Sequence, residues 1–148
     1  MKTVKLGFLG MGNIGSGVVR VLRDNGAMIE REYGVRFEIV RALVRDVQKA
    51  KAHGLGLPEQ VWTTDPDAVT HAGDIDTVVE VLGGEEPAAS YMLRALEQGK
   101  TVVSANKNAV APAWPKLDAA ARKSGAGLYY EASVGGGVPI IDVLNNSM

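Results

Sequence analysis

The chain contains no cysteine. That excludes disulfides, thiolate zinc centres and a thiol nucleophile, and it fits a reducing compartment, so the expected location is cytoplasmic. Histidine is scarce too: His53 and His71 are the two present, and their spacing matches no metal-ligand pattern. Neither sign of charge is in excess. The formal net charge is −1, so the electrostatics call for neither nucleic acid nor an anionic membrane. No apolar run approaches the ~20 residues of a membrane span, and the N-terminal MKTVKLGFLG lacks a signal-peptide cleavage pattern. Internal repeats, low-complexity tracts and Pro/Ser-rich linkers are missing. With 148 residues, 46% hydrophobic and 22% charged, one domain with one core is expected. Function has to be read from sites.

What is present is an alternation. Six short apolar runs, VKLGFLG, FEIVRALV, VWTT, DTVVEVLG, TVVSAN and LYYEASV, are separated by helix-like stretches. Near-continuous apolar strands between amphipathic helices predict an α/β chain with a doubly wound parallel sheet covered on both faces. The first helix is expected to run from a glycine-rich turn to Gly34, with Val18, Leu22 and Ile29 facing the sheet. After DTVVEVLG, Glu85 and Glu86 complement a positive helix end and Pro87 suits a first turn. Ala88, Met92, Ala95 and Leu96 share a face there, and Gly99 ends the helix. A further helix is predicted over 115–123, with Leu117, Ala120 and Ala121 inward and Gly125 as its stop. The region 53–72 yields only a short strand near Val61. The closing VPIIDVLNNSM reads as an apolar helix just beginning, which predicts a truncated chain.

The stretch FLGMGNIGSG gives up four side chains in ten residues. Glycine weakens strand and helix interiors, so the cluster needs a cause. Gly10, Gly12 and Gly15 match G-x-G-x-x-G directly after a predicted strand and at the start of a predicted helix. In a dinucleotide site the first glycine permits a tight turn, the second lets backbone approach the pyrophosphate, and the third lets helix pack on strand. The turn Gly10, Met11, Gly12, Asn13, Ile14 and Gly15 is therefore expected to hold a dinucleotide through helix N-terminal N–H groups, in a Rossmann dinucleotide-binding fold. A competing GKT at residues 99–101 is not a P-loop, because Arg94 stands where that motif needs glycine. After the second strand comes ALVRD, in which Arg45 precedes Asp46 and Lys49 and Lys51 follow. An arginine there neutralises a 2′-phosphate whereas an acid binds the free ribose, so NADP is favoured and NAD stays open. The two lysines read equally well as a solvated helix face.

Ligands of open α/β sheets sit at the carboxyl ends of the strands. Strands four, five and six end in VLGG, SANK and EASVGGG. Leu82, Gly83 and Gly84 are expected to approach the cofactor with backbone, and Ser104, Asn106 and Lys107 to stand near the nicotinamide. A glycine turn does not choose a substrate, so another NAD(P)-dependent dehydrogenase of an amino-acid-derived carbonyl and a non-enzymatic nucleotide sensor both stay open. A methyltransferase fits less well, since Arg45 suits a 2′-phosphate better than a bare ribose.

Taken together, GFLGMGNIGSGVV, VVEVLGGEEPA, TVVSANKNAVA and YYEASVGGGVPII resemble homoserine dehydrogenase, in that family's order and over nearly the whole chain. The resemblance implies reversible reduction of aspartate 4-semialdehyde to homoserine with NAD(P)H, on the route to threonine and methionine. It implies that Lys107 is the catalytic-site lysine of the coenzyme domain. EASVGGGVP is similar to the family's monovalent-cation site, with Glu131, Val134, Gly136 and Val138 as contributors and sodium as the ion. The resemblance further implies an NAD(P)-binding domain over 1–130, with 131–148 opening the connection to a substrate domain, and a homodimer for the full-length enzyme. That substrate domain carries a second catalytic lysine and the acidic residues that hold the amino acid. The expectation is that this chain binds nicotinamide nucleotide and does not turn over homoserine unaided.

Overall fold

In the first strand, Leu6, Phe8 and Leu9 are buried, as a strand covered on both faces requires. The computed structural model describes residues 1–134 and Leu144. Among these, strands and helices alternate as β1 (Lys2–Leu9), α1 (Asn13–Tyr33), β2 (Val35–Leu43), α2 (Val47–Lys51), β3 (Trp62–Thr63), α3 (Asp67–Thr70), β4 (Thr77–Glu80), α4 (Ala88–Glu97), β5 (Thr101–Ser104), α5 (Lys107–Ser124) and β6 (Leu128–Tyr129). Every strand pairing is parallel and the order is β3-β2-β1-β4-β5-β6, the doubly wound arrangement expected from the sequence. The chain winds outward from β1 to β3, then returns to lay β4 against the other side of β1. That reversal opens a crevice beyond the carboxyl ends of β1 and β4.

Two apolar layers hold the sheet. On one face Leu9, Val78 and Val102 pack with Met92, Leu96 and Leu117 from α4 and α5. On the other, Leu6, Phe8 and Ala42 pack with Val19 of α1 and Val61. Lys100 begins the return from α4 into β5 with its ammonium buried; Nζ donates to the carbonyls of Ala72 and Ile75, and burial pushes its pKa down. No helix among the described residues is long and apolar enough to cross a membrane.

Helix α1 stops at Gly34, which adopts φ 65° and donates its N–H to the Glu30 carbonyl at 3.0 Å. Val18 and Leu22 pack against the α1-side layer and Ile29 is half-buried, while Val19, not singled out from the sequence, is the buried apolar side chain of the helix. Ala88, Met92, Ala95 and Leu96 of α4 are all buried, with Pro87 capping the helix just ahead of its first turn. Helix α5 departs from expectation, starting at Lys107 and carrying Pro112 and Pro115 inside it. Each proline forfeits one helical hydrogen bond. Asn106 offsets part of that loss by accepting the Ala109 N–H at 3.3 Å, and Ala109 and Val110 join Leu117, Ala120 and Ala121 on one buried stripe. Helix α2, five residues long, carries Lys49 and Lys51, which the sequence left open as a helix face; α3, four residues long within the 53–72 region, was not anticipated.

Candidate functional site

The glycine turn follows β1 into the crevice. Gly10 takes φ +99°, a backbone region that side chains disfavour, and donates its N–H to the Leu43 carbonyl at 3.1 Å. A Cβ on Gly15 would come within 2.9 Å of the Gly10 carbonyl oxygen, so the start of α1 lies directly on the turn. Gly12 is different: a Cβ there would meet no protein atom within 4 Å. Sterics inside the protein thus explain Gly10 and Gly15 and leave Gly12 to be explained by what enters from outside. Helix α1 begins at Asn13 with Gly12 as its cap and no side-chain acceptor for its first-turn N–H groups. Bare N–H groups and the positive end of a 21-residue helix dipole favour an anion. The turn fits a diphosphate.

A cavity of about 1000 Å³ lies over this turn, at the upper end of the span usual for small-molecule sites. Gly10, Met11 and Gly12 form its floor, Leu82 and Gly83 one wall, and Arg45 stands on the opposite side. Asn13, Ile14, Gly15 and Gly84 lie beside these residues without lining it. Arg45 is exposed and makes no side-chain hydrogen bond or ion pair with the described residues. Asp46 also lines the cavity, but one of its oxygens is taken up as the cap of α2, accepting the Lys49 N–H at 3.0 Å. Lys49 lines the cavity, whereas Lys51 is held by Glu59. Of the cations read from the sequence, Arg45 and Lys49 line this cavity.

The second half of the site is organised by a residue that sequence reading passed over. Glu80 ends β4 with its side chain fully buried. Its carboxylate accepts the Leu82 N–H at 2.8 Å, the Ser104 hydroxyl at 2.6 Å and the Asn106 amide at 3.2 Å. Burial pushes the Glu80 pKa up, and the three donors pull it part of the way back. Ser104 and Asn106 are buried too. The Asn106 amide also donates to the Gly84 carbonyl at 2.8 Å, and its backbone N–H donates to the Ser104 hydroxyl at 3.0 Å. The side chains of Ser104 and Asn106 therefore point into this network, and neither lines the cavity. An acid in an otherwise apolar strand run, TVVEVL, was the signal available for Glu80.

Lys107 is exposed at the first position of α5, one residue beyond Asn106, and lies outside the cavity wall. Past β6 the chain makes a short 3-10 turn over Glu131–Ser133, in which the Val134 N–H donates to the Glu131 carbonyl at 3.1 Å. Val134 is exposed; Gly136 and Val138 lie outside the described residues.

The family model described as homoserine dehydrogenase, NAD binding domain, matches residues 10–131. Homoserine dehydrogenase of Bacillus subtilis is 38% identical over 148 residues, all of this chain and 34% of the relative. That of Synechocystis is 40% identical over 146 residues, 99% of this chain and 33% of the relative. The crystal structure of a homoserine dehydrogenase from Thiobacillus denitrificans superposes with a TM-score of 0.91 at 43% identity, covering 99% of this chain and 33% of that one. The chain spans about a third of the length of the curated relatives it matches. A match that begins at Gly10 and runs through both halves of the crevice places this chain in the family of homoserine dehydrogenase NAD-binding domains.

Proposed function

We propose that the chain is the coenzyme-holding part of a homoserine dehydrogenase that interconverts aspartate 4-semialdehyde and homoserine, and that it prefers NADP to NAD. The nicotinamide dinucleotide, when bound, supplies or accepts the hydride. The chain's own residues do the rest. The Gly10–Gly15 turn and the first N–H groups of α1 hold the diphosphate. Arg45, on the cavity side and unpaired among the described residues, neutralises the 2′-phosphate that distinguishes NADP. The Lys107 ammonium offsets negative charge developing on the carbonyl oxygen and delivers the proton that completes the alcohol. Backbone carbonyls around Glu131, Val134, Gly136 and Val138 take a monovalent cation, sodium. The whole enzyme is a homodimer.

One observation carries the reading: at the switch point of a parallel sheet, Gly12 lacks a side chain that the protein itself has room for, while Arg45 faces the same cavity without a partner among the described residues. The test is a titration of the chain with NADP and with NAD, repeated on Arg45→Ala. Tighter binding of NADP that is lost on substitution supports the reading. Equal binding of both, unchanged by the substitution, removes Arg45 from coenzyme selection.

A further inference from the structure

Strand β4 reads TVVE, and Val78 and Glu80 lie on the same face of the sheet, both at 0% exposure. Alternation along a strand makes position 80 a site for a second apolar side chain, beside Val78, packed toward α4 and α5. A carboxylate instead occupies it. Taking a carboxylate out of water is costly even with donors around it, and an apolar residue of equal volume often gives a more stable fold. The contacts of Glu80 show what the acid does that valine cannot. Through Leu82 it holds the backbone just before Gly83, which lines the cavity. Through Ser104 and Asn106 it holds the junction from which α5 and Lys107 start. Asn106 closes the ring by donating to Gly84, and the backbone closes it again, since the Ala105 N–H donates to the Glu80 carbonyl at 3.2 Å.

We propose that Glu80 is a positioning residue for the nicotinamide half of the site, fixing the Gly83–Gly84 turn against the start of α5 so that the turn and Lys107 keep one geometry. The two halves of this fold are separate mononucleotide-binding units. The glycine turn, α1 and Arg45 belong to the first, and the tips of β4 and β5 to the second. Among the described residues, Glu80 makes its side-chain hydrogen bonds within the second. Leu82 also borders Gly10 and the shared cavity, so removal of the Glu80 carboxylate is expected to harm the nicotinamide end more than the adenine end. The inference rests on the coenzyme-holding reading above.

The test compares two ligands on the 148-residue chain: NADPH, and 2′-phospho-ADP-ribose, which keeps the adenine, both phosphate groups and Arg45's target but has no nicotinamide. Glu80→Met keeps a side chain of similar length and removes both carboxylate oxygens. It is expected to weaken NADPH roughly fivefold or more while changing 2′-phospho-ADP-ribose by less than about twofold, given the usual worth of a few hydrogen bonds. Glu80→Gln keeps one oxygen for Leu82 and Asn106, and the Ser104 hydroxyl can turn to accept, so NADPH affinity returns toward the parent value. Should Glu80→Met not fold, Asn106→Ser decides, because it cuts the link to Gly84 while retaining an oxygen to cap α5; the same split is expected. Equal losses for both ligands, or no loss for NADPH, overturn the proposal. A parent chain that binds neither ligand overturns the coenzyme-holding reading itself, and this inference with it.

Discussion

Gly15 approaches the carbonyl oxygen of Gly10 so closely that a Cβ on it would stand 2.9 Å away, whereas a Cβ on Gly12, three residues earlier, would touch nothing within 4 Å. One glycine serves the fold; the other, on the proposed function, serves a ligand. Gly15→Ala is expected to destabilise the chain by roughly 1–3 kcal/mol through overpacking against backbone that has nowhere to move. Gly12→Ala is expected to leave unfolding by denaturant nearly unchanged, while weakening NADP by about tenfold or more because main chain approaches the diphosphate there. Denaturant melts and ligand titrations on the two variants separate these effects; a folding defect in Gly12→Ala with normal binding would reverse the assignment.

Arg45 is expected to contribute a charge-assisted contact to NADP alone. Arg45→Ala should weaken NADP by roughly 1.5–3 kcal/mol and leave NAD nearly untouched. Asp46 offers the control. Its side chain caps α2, so Asp46→Ala should cost about 1 kcal/mol of stability without reversing the coenzyme preference.

Glu80 gives the chain a pH signature. Its folded-state pKa lies above the ordinary carboxylate value because the side chain is desolvated. Between the unfolded and folded values the native chain binds more protons than the unfolded one, so this contribution is fully present below the unfolded value and is lost as pH rises through the folded one. Glu80→Gln should flatten that decline from about pH 4 upward, read as the denaturant midpoint against pH. An identical slope in the parent and in Glu80→Gln would place the charge of Glu80 outside the stability balance.

The parts of this arrangement legible from sequence were those with a strong local cause. The glycine turn, the helix stops at Gly34 and Gly125 and the buried stripe of α4 follow from backbone freedom and periodicity, and all stand where expected. The start of α5 was not legible because Pro112 and Pro115 are ordinarily helix boundaries, and the burial of Ala109 and Val110 that overrides them is a tertiary effect. Helices α2 and α3 are too short for a periodic pattern. Glu80 was missed for a related reason: which face of β4 is covered depends on where α4 and α5 pack. Ser104 and Asn106 were expected to stand near the nicotinamide; that their side chains turn inward to Glu80 was not legible, because it depends on a buried partner that the tips of two strands share.

Lys107 is expected to matter to the reaction more than to binding. In a full-length homoserine dehydrogenase carrying this domain, Lys107→Ala should lower kcat by about a hundredfold or more with little change in coenzyme affinity, as loss of a proton donor does. Steady-state kinetics give both numbers, and an unchanged kcat takes Lys107 out of the mechanism.

The central claim, that the Gly10–Gly15 turn and the tip of β4 together hold a nicotinamide dinucleotide, is tested most directly by amide hydrogen exchange with and without NADP. The account predicts slowed exchange at the amides of the glycine turn and of Leu82–Gly84 once NADP is added. Protection confined to some other part of the chain, with both of those segments exchanging as before, would contradict it.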